Sequence, residues 1–279
     1  MKIGYLGPKN SFTDQAAQSC FDIEDLIAYQ TIVSCIQAVH SSAVDCAVIP
    51  IENSLEGSVN DSIDRLFHLG GLKVIGEIVL PIHQQLLVAP GTKKITKILS
   101  HPQAIAQSQQ FLTDKYPDCL LEAVSSTTYA AQYVANHPDD ELAAIASKKA
   151  AKEYGLTIFS EDIQDNAFNQ TRFWIIGLSN QVVPTSLQGE MKTTLFVQMP
   201  NNVPGSLHQA LAAFAWRHLD LSKIESRPLK TSLGEYFFVF DLLINQNEQL
   251  LANAIDEIRL LGGIVTELGI YPVTIVKES

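Results

Sequence analysis

The sequence lacks the features that mark membrane-spanning, secreted and metal-binding proteins. No run approaches the roughly 18 consecutive apolar residues of a membrane-spanning helix. The chain passes from Lys2 directly into an apolar strand pattern, without the hydrophobic core of a signal peptide. Its 4 cysteines have no paired C-x-x-C spacing, so neither a zinc site nor a disulfide framework is predicted. We therefore expect a globular, cytoplasmic protein with buried, reduced thiols.

Positive charge is also scarce. The 279 residues include 19 Lys and Arg against 30 Asp and Glu, for a net charge of -11. With no basic patch that carries interleaved aromatic residues, nucleic-acid binding is not indicated. The overall field repels anions, so an anionic substrate has to be held by local, preorganised donors. No P-loop, G-x-G-x-x-G fingerprint or metal-spaced His/Cys cluster is present, and no cofactor is predicted.

The remaining composition favours an α/β protein. A hydrophobic content of 46% suffices to bury one large core or two modest ones. Up to about residue 163, short apolar strands alternate with amphipathic helices, which is typical of α/β units with a largely parallel sheet. Two apolar runs on either side of Pro81 predict a crossover between two lobes, and therefore a cleft. Ligands usually bind at loops that follow the carboxyl ends of such strands.

Polar donors stand directly before an apolar strand between Asn169 and Gly177. On an extended strand Thr171 and Phe173 face one side, and Arg172 faces the other. Thr171 and Arg172 are therefore expected to serve different surfaces. Taken alone, these residues favour the plainer interpretation of a locally satisfied hydroxyl and an arginine paired with a carboxylate.

Four loops bring hydroxyl and backbone N–H groups to predicted helix starts, where a carboxylate or phosphate is well accommodated. For any single loop, ordinary helix capping is the plainer interpretation, but two such loops on one sheet edge favour a ligand. His101 could act as an acid or base because imidazole titrates near neutrality, but a structural or orienting role is favoured. The candidates are Ser11 and Thr13 in the first loop, Glu52, Asn53 and Ser54 in the second, Ser100, His101 and Gln103 in the third, and Ser126 and Thr127 in the fourth.

A different pattern follows a stretch that is typical of a linker. From residue 193 the order of predicted elements is βαββαβ, the ferredoxin-like split arrangement. One short motif lies at a helix start and another at the end of a predicted strand over residues 221–224. Capping and a surface ion pair are the plainer interpretation of them. The motifs comprise Pro204, Gly205, Ser206, Leu207 and His208, and then Glu225, Ser226, Arg227 and Pro228.

Together these motifs resemble those of the prephenate dehydratase family. The resemblance rests on Thr-Arg-Phe at 171–173, Pro-Ile-Glu-Asn-Ser at 50–54, Ser-His-Pro-Gln at 100–103, the Gly-Pro loop at 7–13 and the Ser-Thr helix start at 126–127. It extends to about Pro272. Lys9-Asn10 departs from it, because the family more often has an acidic residue and Gly there. The C-terminal motifs are similar to those of the ACT regulatory domain of monofunctional members, with Ser206 in place of the commoner Ala.

The resemblance implies a two-lobed catalytic domain over residues 1–182, with the architecture of type II periplasmic binding proteins. Lobe one then comprises about 1–77 and 164–182, and lobe two about 78–163. A linker over 183–192 leads to a ferredoxin-like ACT domain over 193–279. Because pairing of such domains buries effector sites, a homodimer or homotetramer is expected.

The resemblance also implies a reaction, the conversion of prephenate to phenylpyruvate, carbon dioxide and water by a carbon–oxygen lyase of phenylalanine biosynthesis. No cofactor takes part, and L-phenylalanine binds the two C-terminal motifs and inhibits. Thr171 is expected to hydrogen-bond the departing hydroxyl while Asn53 and Gln103 orient the ring. The implied catalytic residues are Thr171, Asn53, Gln103, Arg172 and Phe173, and the implied substrate-binding residues are Ser11, Thr13, Glu52, Ser54, Ser100, His101, Ser126 and Thr127.

Two alternatives stay open. Arogenate dehydratase shares the fold and motifs, but its plastid forms usually carry a transit peptide, which is not seen here. A non-catalytic amino-acid sensor or solute-binding protein would use the cleft for binding alone. The second is disfavoured because a pure binder needs no polar donor beside the strand that carries Thr171. A DNA-binding regulator would bring a helix-turn-helix segment, for which the residues before the first strand leave no room.

Overall fold

The computed structural model describes residues 1–178, 187–200, 204–231, 234–244 and 248–277. The first elements are β1 (Ile3–Leu6), α1 (Phe12–Gln18), β2 (Leu26–Tyr29), α2 (Ile32–His40), β3 (Cys46–Asn53), β4 (Gly57–Ser58), α3 (Asn60–Leu69) and β5 (Leu72–Pro81). The next are β6 (Gln85–Val88), β7 (Lys97–Ser100), α4 (Pro102–Ala106), α5 (Gln109–Lys115), β8 (Leu120–Ala123), α6 (Thr127–Asn136), β9 (Leu142–Ala146), α7 (Lys148–Tyr154), β10 (Thr157–Ser160) and β11 (Gln170–Leu178). The last are β12 (Met191–Gln198), α8 (Ser206–Ala215), β13 (Leu221–Pro228), β14 (Tyr236–Leu243), α9 (Glu248–Leu260) and β15 (Ile264–Ile275). Within these ranges no helix is both long and apolar enough to cross a membrane.

The strands form two mixed sheets, which confirms the predicted α/β class. The larger sheet has the order β2-β1-β3-β11-β5-β15-β12-β14-β13, with β4 paired to β3. The smaller sheet has the order β10-β6-β9-β7-β8. β1 runs parallel to β2 and β3, whereas β11 runs antiparallel to β3 and β5. The chain crosses between the sheets from β5 to β6 and returns from β10 to β11, so β11 arrives in the larger sheet beside the ends of β3 and β5.

Apolar periodicity in the sequence predicts a single helix over about residues 103–116, but the structure divides it into α4 and α5 at Ser108. The carboxylate of Asp165 causes the division by accepting hydrogen bonds from the backbone N–H groups of Gln110 at 2.9 Å and Phe111 at 3.2 Å. A residue more than fifty positions away thus supplies the acceptor for the start of α5. Local periodicity carries no sign of it.

The sequence predicts the last strand over residues 264–268, but β15 continues to Ile275 because it joins the larger sheet. β15 runs parallel to β5, with Val273 opposite Glu77 and Ile275 opposite Val79. The four strands β15-β12-β14-β13 are therefore continuous with the strands around β5. The element order from β12 to β15 is the predicted βαββαβ.

The described part of the predicted linker over 183–192 is packed against the larger sheet. Residues 183–186 lie outside the described residues. Leu187 is buried and packs over Gly76 so closely that any side chain at position 76 would collide with it. β12 begins at Met191, inside the predicted linker. The described residues that lead into β12 are thus packed against the larger sheet and do not form a free linker.

β13 is also longer than predicted, and it contains the Glu-Ser-Arg-Pro motif instead of preceding it. The strand pairs with β14 through Pro228. It lies at the edge of the sheet, and its side chains alternate between half-buried and exposed positions. Charged residues in an edge strand interrupt the apolar pattern from which strands are predicted. For this reason the predicted strand ends at Ile224, four residues before the end of β13.

The core lies on both faces of the larger sheet, and β11 contributes to each. Phe173 and Ile175 pack on the face covered by α1, whereas Trp174 and Ile176 pack on the face covered by α2 and α3. Tyr271 of β15 belongs to the second cluster, where its ring meets Trp174 edge to face with centroids 6.4 Å apart. This alternation confirms the prediction that neighbouring residues of β11 serve different surfaces.

The cysteines are less uniformly buried than predicted. Cys35 and Cys46 are buried, whereas Cys20 and Cys119 are half-buried. Burial raises the pKa of the Cys35 thiol to about 12, so this side chain is a protonated thiol at neutral pH.

Candidate active site

Strand β11 places Thr171 opposite Asn53 of β3 and Leu80 of β5. The amide Nδ2 of Asn53 donates to Thr171 Oγ1 at 2.9 Å and to Asn169 Oδ1 at 2.8 Å. Among the described residues Thr171 Oγ1 accepts this bond and donates none, so its O–H proton is left for a ligand. Thr171 and Asn53, each predicted as a site residue, are therefore in direct contact, and Thr171 is half-buried near the start of β11.

Asn53 is itself fixed on both sides of its amide. Its Oδ1 accepts from the backbone N–H groups of Leu55 at 2.9 Å and Glu56 at 3.1 Å. An amide held by such turns has one orientation open to it. Asn53 therefore presents its N–H to Thr171 without having to reorganise.

Ser54 has a structural contact where the sequence predicts substrate binding. Its hydroxyl donates to the carbonyl of Phe168 at 3.1 Å and accepts from the backbone N–H of Gln170 at 3.0 Å. These two bonds hold the segment before β11 against the loop after β3. Asn169, which sequence analysis did not single out as a site residue, is buried and donates to Gln107 at 2.9 Å. It links Asn53 to the loop between α4 and α5.

The first loop caps α1 as its simpler interpretation predicts. Ser11 Oγ accepts from the backbone N–H of Asp14 at 3.2 Å, and Thr13 is buried. Asn10 adopts a left-handed conformation with φ of 67°, which Asn tolerates better than most residues with a side chain. The departure at Lys9-Asn10 therefore still provides a left-handed turn. The backbone N–H of Asn10 donates to the carboxylate of Asp14 at 2.7 Å.

The third loop is partly committed to the fold. Ser100 is buried and donates its hydroxyl to the carbonyl of Ile145 at 2.6 Å, because it ends β7 beside β9. His101 caps α4 by accepting from the backbone N–H of Gln103 at 3.3 Å. Burial lowers the pKa of His101, against a smaller raising effect of Glu56, so the ring is neutral at pH 7. The side chain of Gln103 is exposed.

The fourth loop starts α6. Ser126 Oγ accepts from the backbone N–H of Tyr129 at 3.0 Å, and Thr127 is half-buried at the first position of the helix. Accepting uses an oxygen lone pair, so the hydroxyl proton of Ser126 is still able to donate. The loop thus caps its helix without losing the ability to bind an anion.

The structure separates Arg172 and Glu52 from Thr171, although the sequence grouped them as site residues. The Arg172 guanidinium contacts Glu52 at 2.5 Å, Glu77 at 2.6 Å and Asp241 at 2.6 Å. Strand alternation explains this placement, because Arg172 points to the face opposite Thr171. Phe173, grouped with them, is buried in the core with 1% of its surface exposed.

Glu77 is the most enclosed carboxylate of this network and is fully buried. It accepts hydrogen bonds from Lys192 Nζ and from the Trp174 indole, each at 3.1 Å. Burial alone raises its pKa, but the charges and hydrogen bonds of Arg172 and Lys192 outweigh burial and hold the pKa below its usual range. Glu77 is thus ionised at neutral pH and depends on its cationic partners.

The first C-terminal motif forms a helix start. Gly205 has φ of 93° immediately before α8, a left-handed conformation that favours glycine. Ser206 is buried and Leu207 half-buried, whereas Pro204 and His208 are exposed.

The second motif faces two directions. Glu225 and Arg227 are half-buried, and Ser226 and Pro228 are exposed on the other side of β13. Arg227 forms an ion pair with Glu225 at 3.6 Å and a shorter one with Asp64 of α3 at 2.9 Å. The expected ion pair between Glu225 and Arg227 is therefore present, but Arg227 is also bound to α3, which packs on the N-terminal strands of the larger sheet.

A cavity of about 880 Å³ lies at the junction between the larger and the smaller sheet. Leu80, which lies opposite Thr171 in the sheet, lines this cavity, whereas Thr171 and Asn53 do not. Its cationic side chains are Lys148, Lys149, Lys152 and Lys277. Sequence analysis missed Lys149, whose Nζ lies 3.2 Å from the buried Asp14 carboxylate across the junction. A pair of lysines directly after the apolar run at 142–146 was the available signal.

The described residues contain no group of three or more His, Cys, Asp or Glu side chains arranged to hold a metal ion. The groups that surround the Thr171 hydroxyl are the side-chain amides of Asn53 and Asn169 and the backbone of Gln170. Such donors suit the binding of anions and the stabilisation of a leaving hydroxide.

Comparison with known proteins agrees with these motifs. The family model for prephenate dehydratase matches residues 3–181. The prephenate dehydratase of Lactococcus lactis subsp. cremoris (strain MG1363) is 47% identical over 274 residues, 98% of each chain, and that of Bacillus subtilis (strain 168) is 45% identical over 280 residues, 97% of this chain and 98% of the relative. The crystal structure of prephenate dehydratase in complex with L-Phe from Arthrobacter aurescens has a TM-score of 0.86 and 31% identity, covering 98% of this chain and 90% of that one. The chain belongs to the prephenate dehydratase family.

Proposed function

We propose that the protein converts prephenate to phenylpyruvate, carbon dioxide and water in phenylalanine biosynthesis. The observation that carries the proposal is the Asn53–Thr171 contact of 2.9 Å. In this contact the Thr171 hydroxyl accepts the hydrogen bond, so its own proton is available to a ligand. The full-length identity to prephenate dehydratases supports the same reaction.

Loss of the ring carboxylate and the C4 hydroxyl makes the substrate ring aromatic, which supplies the driving force. The protein then has two tasks, to hold a dianion in one pose and to assist the departure of hydroxide. Threonine is too weak an acid to give up its proton easily, so Thr171 acts as a hydrogen-bond donor to the developing negative charge. A donor of this kind contributes about 3 to 4 kcal/mol. The N–H of Asn53 polarises the Thr171 hydroxyl and strengthens it as a donor.

We assign the two carboxylates of the substrate to the loops on either side of the cleft. Ser11 and Thr13 provide the lobe-one donors, and Ser126 and Thr127 provide the lobe-two donors, together with backbone N–H groups at these helix starts. His101, whose Nδ1 caps α4, has an orienting role, and Gln103 orients the ring of the substrate. A substrate that bridges both lobes favours their closure and the exclusion of water.

We assign the architecture as follows. The orders β2-β1-β3-β11-β5 and β8-β7-β9-β6-β10 are equivalent arrangements, which supports two lobes of the type II periplasmic-binding-protein kind over residues 1–182. The order β15-β12-β14-β13 with two helices supports a ferredoxin-like ACT domain over residues 193–279. The cytoplasmic location stays a prediction.

We assign regulation to L-phenylalanine at the Gly205 and Glu225 motifs. A relative's crystal structure is described as a complex with L-Phe, and the Gly205 loop offers backbone N–H groups for a carboxylate. Ile224 on the outer face of the edge strand β13 is 50% exposed. Pairing of two copies along this region would cover it, consistent with a homodimer or homotetramer.

The test is the kinetics of Thr171→Ala, with Thr171→Ser as the matched control that keeps the hydroxyl. We expect kcat to fall by about 100- to 1,000-fold in Thr171→Ala, with little change in KM, and a smaller fall in Thr171→Ser. An alanine variant with normal turnover would remove Thr171 from the mechanism. A parallel assay with arogenate shows which of the two substrates, prephenate or arogenate, the protein converts. A protein that converts neither would favour the binding-protein alternative.

A further inference from the structure

The network around Arg172 joins β11, which carries Thr171, to the strands β15-β12-β14-β13 of the larger sheet. These four strands are called the C-terminal sheet below. Arg172 directly follows Thr171, and its guanidinium reaches Asp241 of β14 at 2.6 Å. Asp241 is fully buried and also accepts the hydroxyl of Thr194 at 2.7 Å. Thr194 in turn is 2.6 Å from the hydroxyl of Tyr271. Asp241 is thus fixed within the C-terminal sheet and cannot move without that sheet.

The same network crosslinks β3 and β11 one residue away from the catalytic pair. Glu52 precedes Asn53, and it contacts Arg172 at 2.5 Å. In the register of the two strands Arg172 lies opposite Glu52 and Thr171 lies opposite Asn53. The ion pair therefore sets the relative placement of the two strands where the Asn53–Thr171 hydrogen bond forms.

A second connection reaches Asn53 from the edge strand β13. Ser58 donates its hydroxyl to Glu225 at 2.5 Å, and Lys223 lies 3.3 Å from Glu52 and 3.2 Å from Glu225. Ser58 is paired with Glu52 in the short hairpin of β3 and β4, whose other pair contains Asn53. Side chains of the C-terminal sheet thus hold both strands that carry the catalytic pair.

Charge and burial make these contacts firm. Glu77 and Asp241 are fully buried, so loss of Arg172 would leave two buried carboxyl groups without their shared cation. Arg172 is mostly buried as well, with 16% of its side chain exposed. The contacts therefore persist unless the strands themselves shift.

We propose that Arg172, Asp241 and Ser58 are positioning residues through which the C-terminal sheet sets the geometry of Asn53 and Thr171. In this proposal they act through Asn53 and Thr171 and not on the substrate directly. The inference rests on the proposed function, since it concerns the turnover of that site. It assigns to the C-terminal sheet a direct part in basal catalysis, in addition to any binding of an effector.

The test compares Asp241→Asn with Asp220→Asn in the full-length protein. Both variants replace an aspartate by asparagine, but Asp220 is exposed, directly precedes β13 and lies outside the network. We expect Asp241→Asn to lower kcat for prephenate by about 10- to 100-fold through misplacement of the catalytic pair, with KM within about twofold of the parent. We expect Asp220→Asn to match the parent in both constants.

Ser58→Ala provides an independent arm if Asp241→Asn does not fold, because Ser58 is only partly buried and its loss leaves no buried charge. We expect it to lower kcat at unchanged KM, with an unchanged melting temperature. Folded variants that keep parental kcat would overturn the inference while leaving the proposed function intact. If the parent itself does not turn over prephenate, it is the proposed function that fails.

Discussion

Replacing Arg172 by methionine tests how strongly the buried carboxylates depend on their cation. The substitution leaves Asp241 and Glu77 without the guanidinium, and breaking a buried pair in this way costs about 3–5 kcal/mol. Lys192 remains 3.1 Å from Glu77, so we expect the lower part of this range, about 3 to 4 kcal/mol. At about 2 to 4 °C per kcal/mol for chains of a comparable size, the melting temperature falls by about 6 to 16 °C.

The pH dependence of this loss has a definite sign. In the parent the pKa of Glu77 is held below its usual range, so its stabilisation is present above the unfolded pKa and disappears as the pH falls through the lower folded pKa. In Arg172→Met only Lys192 still opposes the effect of burial, so the pKa of Glu77 rises and protonation relieves part of the cost. The difference in melting temperature between parent and variant therefore narrows from pH 7 to pH 5.

Differential scanning calorimetry at both pH values measures these shifts. Arg259→Met is the matched control, because Arg259 is 47% exposed with its ion pairs on the surface, where a pair contributes about 0–1 kcal/mol. Arg172→Lys keeps the charge but loses the fork of donors, and should fall between parent and methionine. A loss in Arg172→Met no larger than that of Arg259→Met, or one that is independent of pH, would refute the argument.

Two further predictions concern ligand response and the lobe junction. Ser58→Ala should still bind L-phenylalanine in calorimetric titration while the inhibition of prephenate turnover weakens several-fold; inhibition equal to the parent's would show that Glu225 acts by another route. Lys149→Gln removes the charge that faces buried Asp14 across the junction, so closure of the lobes is less favourable and KM for prephenate should rise several-fold with kcat little changed. Lys9→Gln is its control, since Lys9 is 60% exposed and its pair with Glu153 is longer, at 3.4 Å; equal KM values in both variants would contradict this role.

Much of the fold could be predicted from local patterns. The sequence predicts strands over residues 3–6, 26–29 and 85–88 and a helix over about 148–154, and β1, β2, β6 and α7 have these bounds. Apolar periodicity and capping residues such as Ser147 are encoded within each segment, which makes such elements predictable. The alternation along β11 was predictable for the same reason. It correctly places Arg172 and Thr171 on opposite faces.

What could not be predicted depends on partners far apart in the chain. Glu77, Arg172 and Asp241 each stand as a charged residue within an apolar strand, which signals a buried charge that needs a partner. The sequence does not say that these three meet, because β5, β11 and β14 are brought together only by the assembled sheet. Likewise, Asp165 divides a helix that local periodicity predicts as one, and β15 extends because β5 offers it an edge.

The Asn53–Thr171 pair shows the same limit at the site itself. Both residues were predicted as site residues from their motifs. Their direct hydrogen bond, in which the Thr171 hydroxyl is the acceptor, follows from the antiparallel register of β3 and β11. That register is a property of the whole sheet.

The most direct test of the account is the absorbance of phenylpyruvate after purified protein is mixed with prephenate, with and without L-phenylalanine. We expect the absorbance to rise with prephenate alone and to rise more slowly when L-phenylalanine is added. A protein that is folded by calorimetry but forms no phenylpyruvate from prephenate would contradict the central claim.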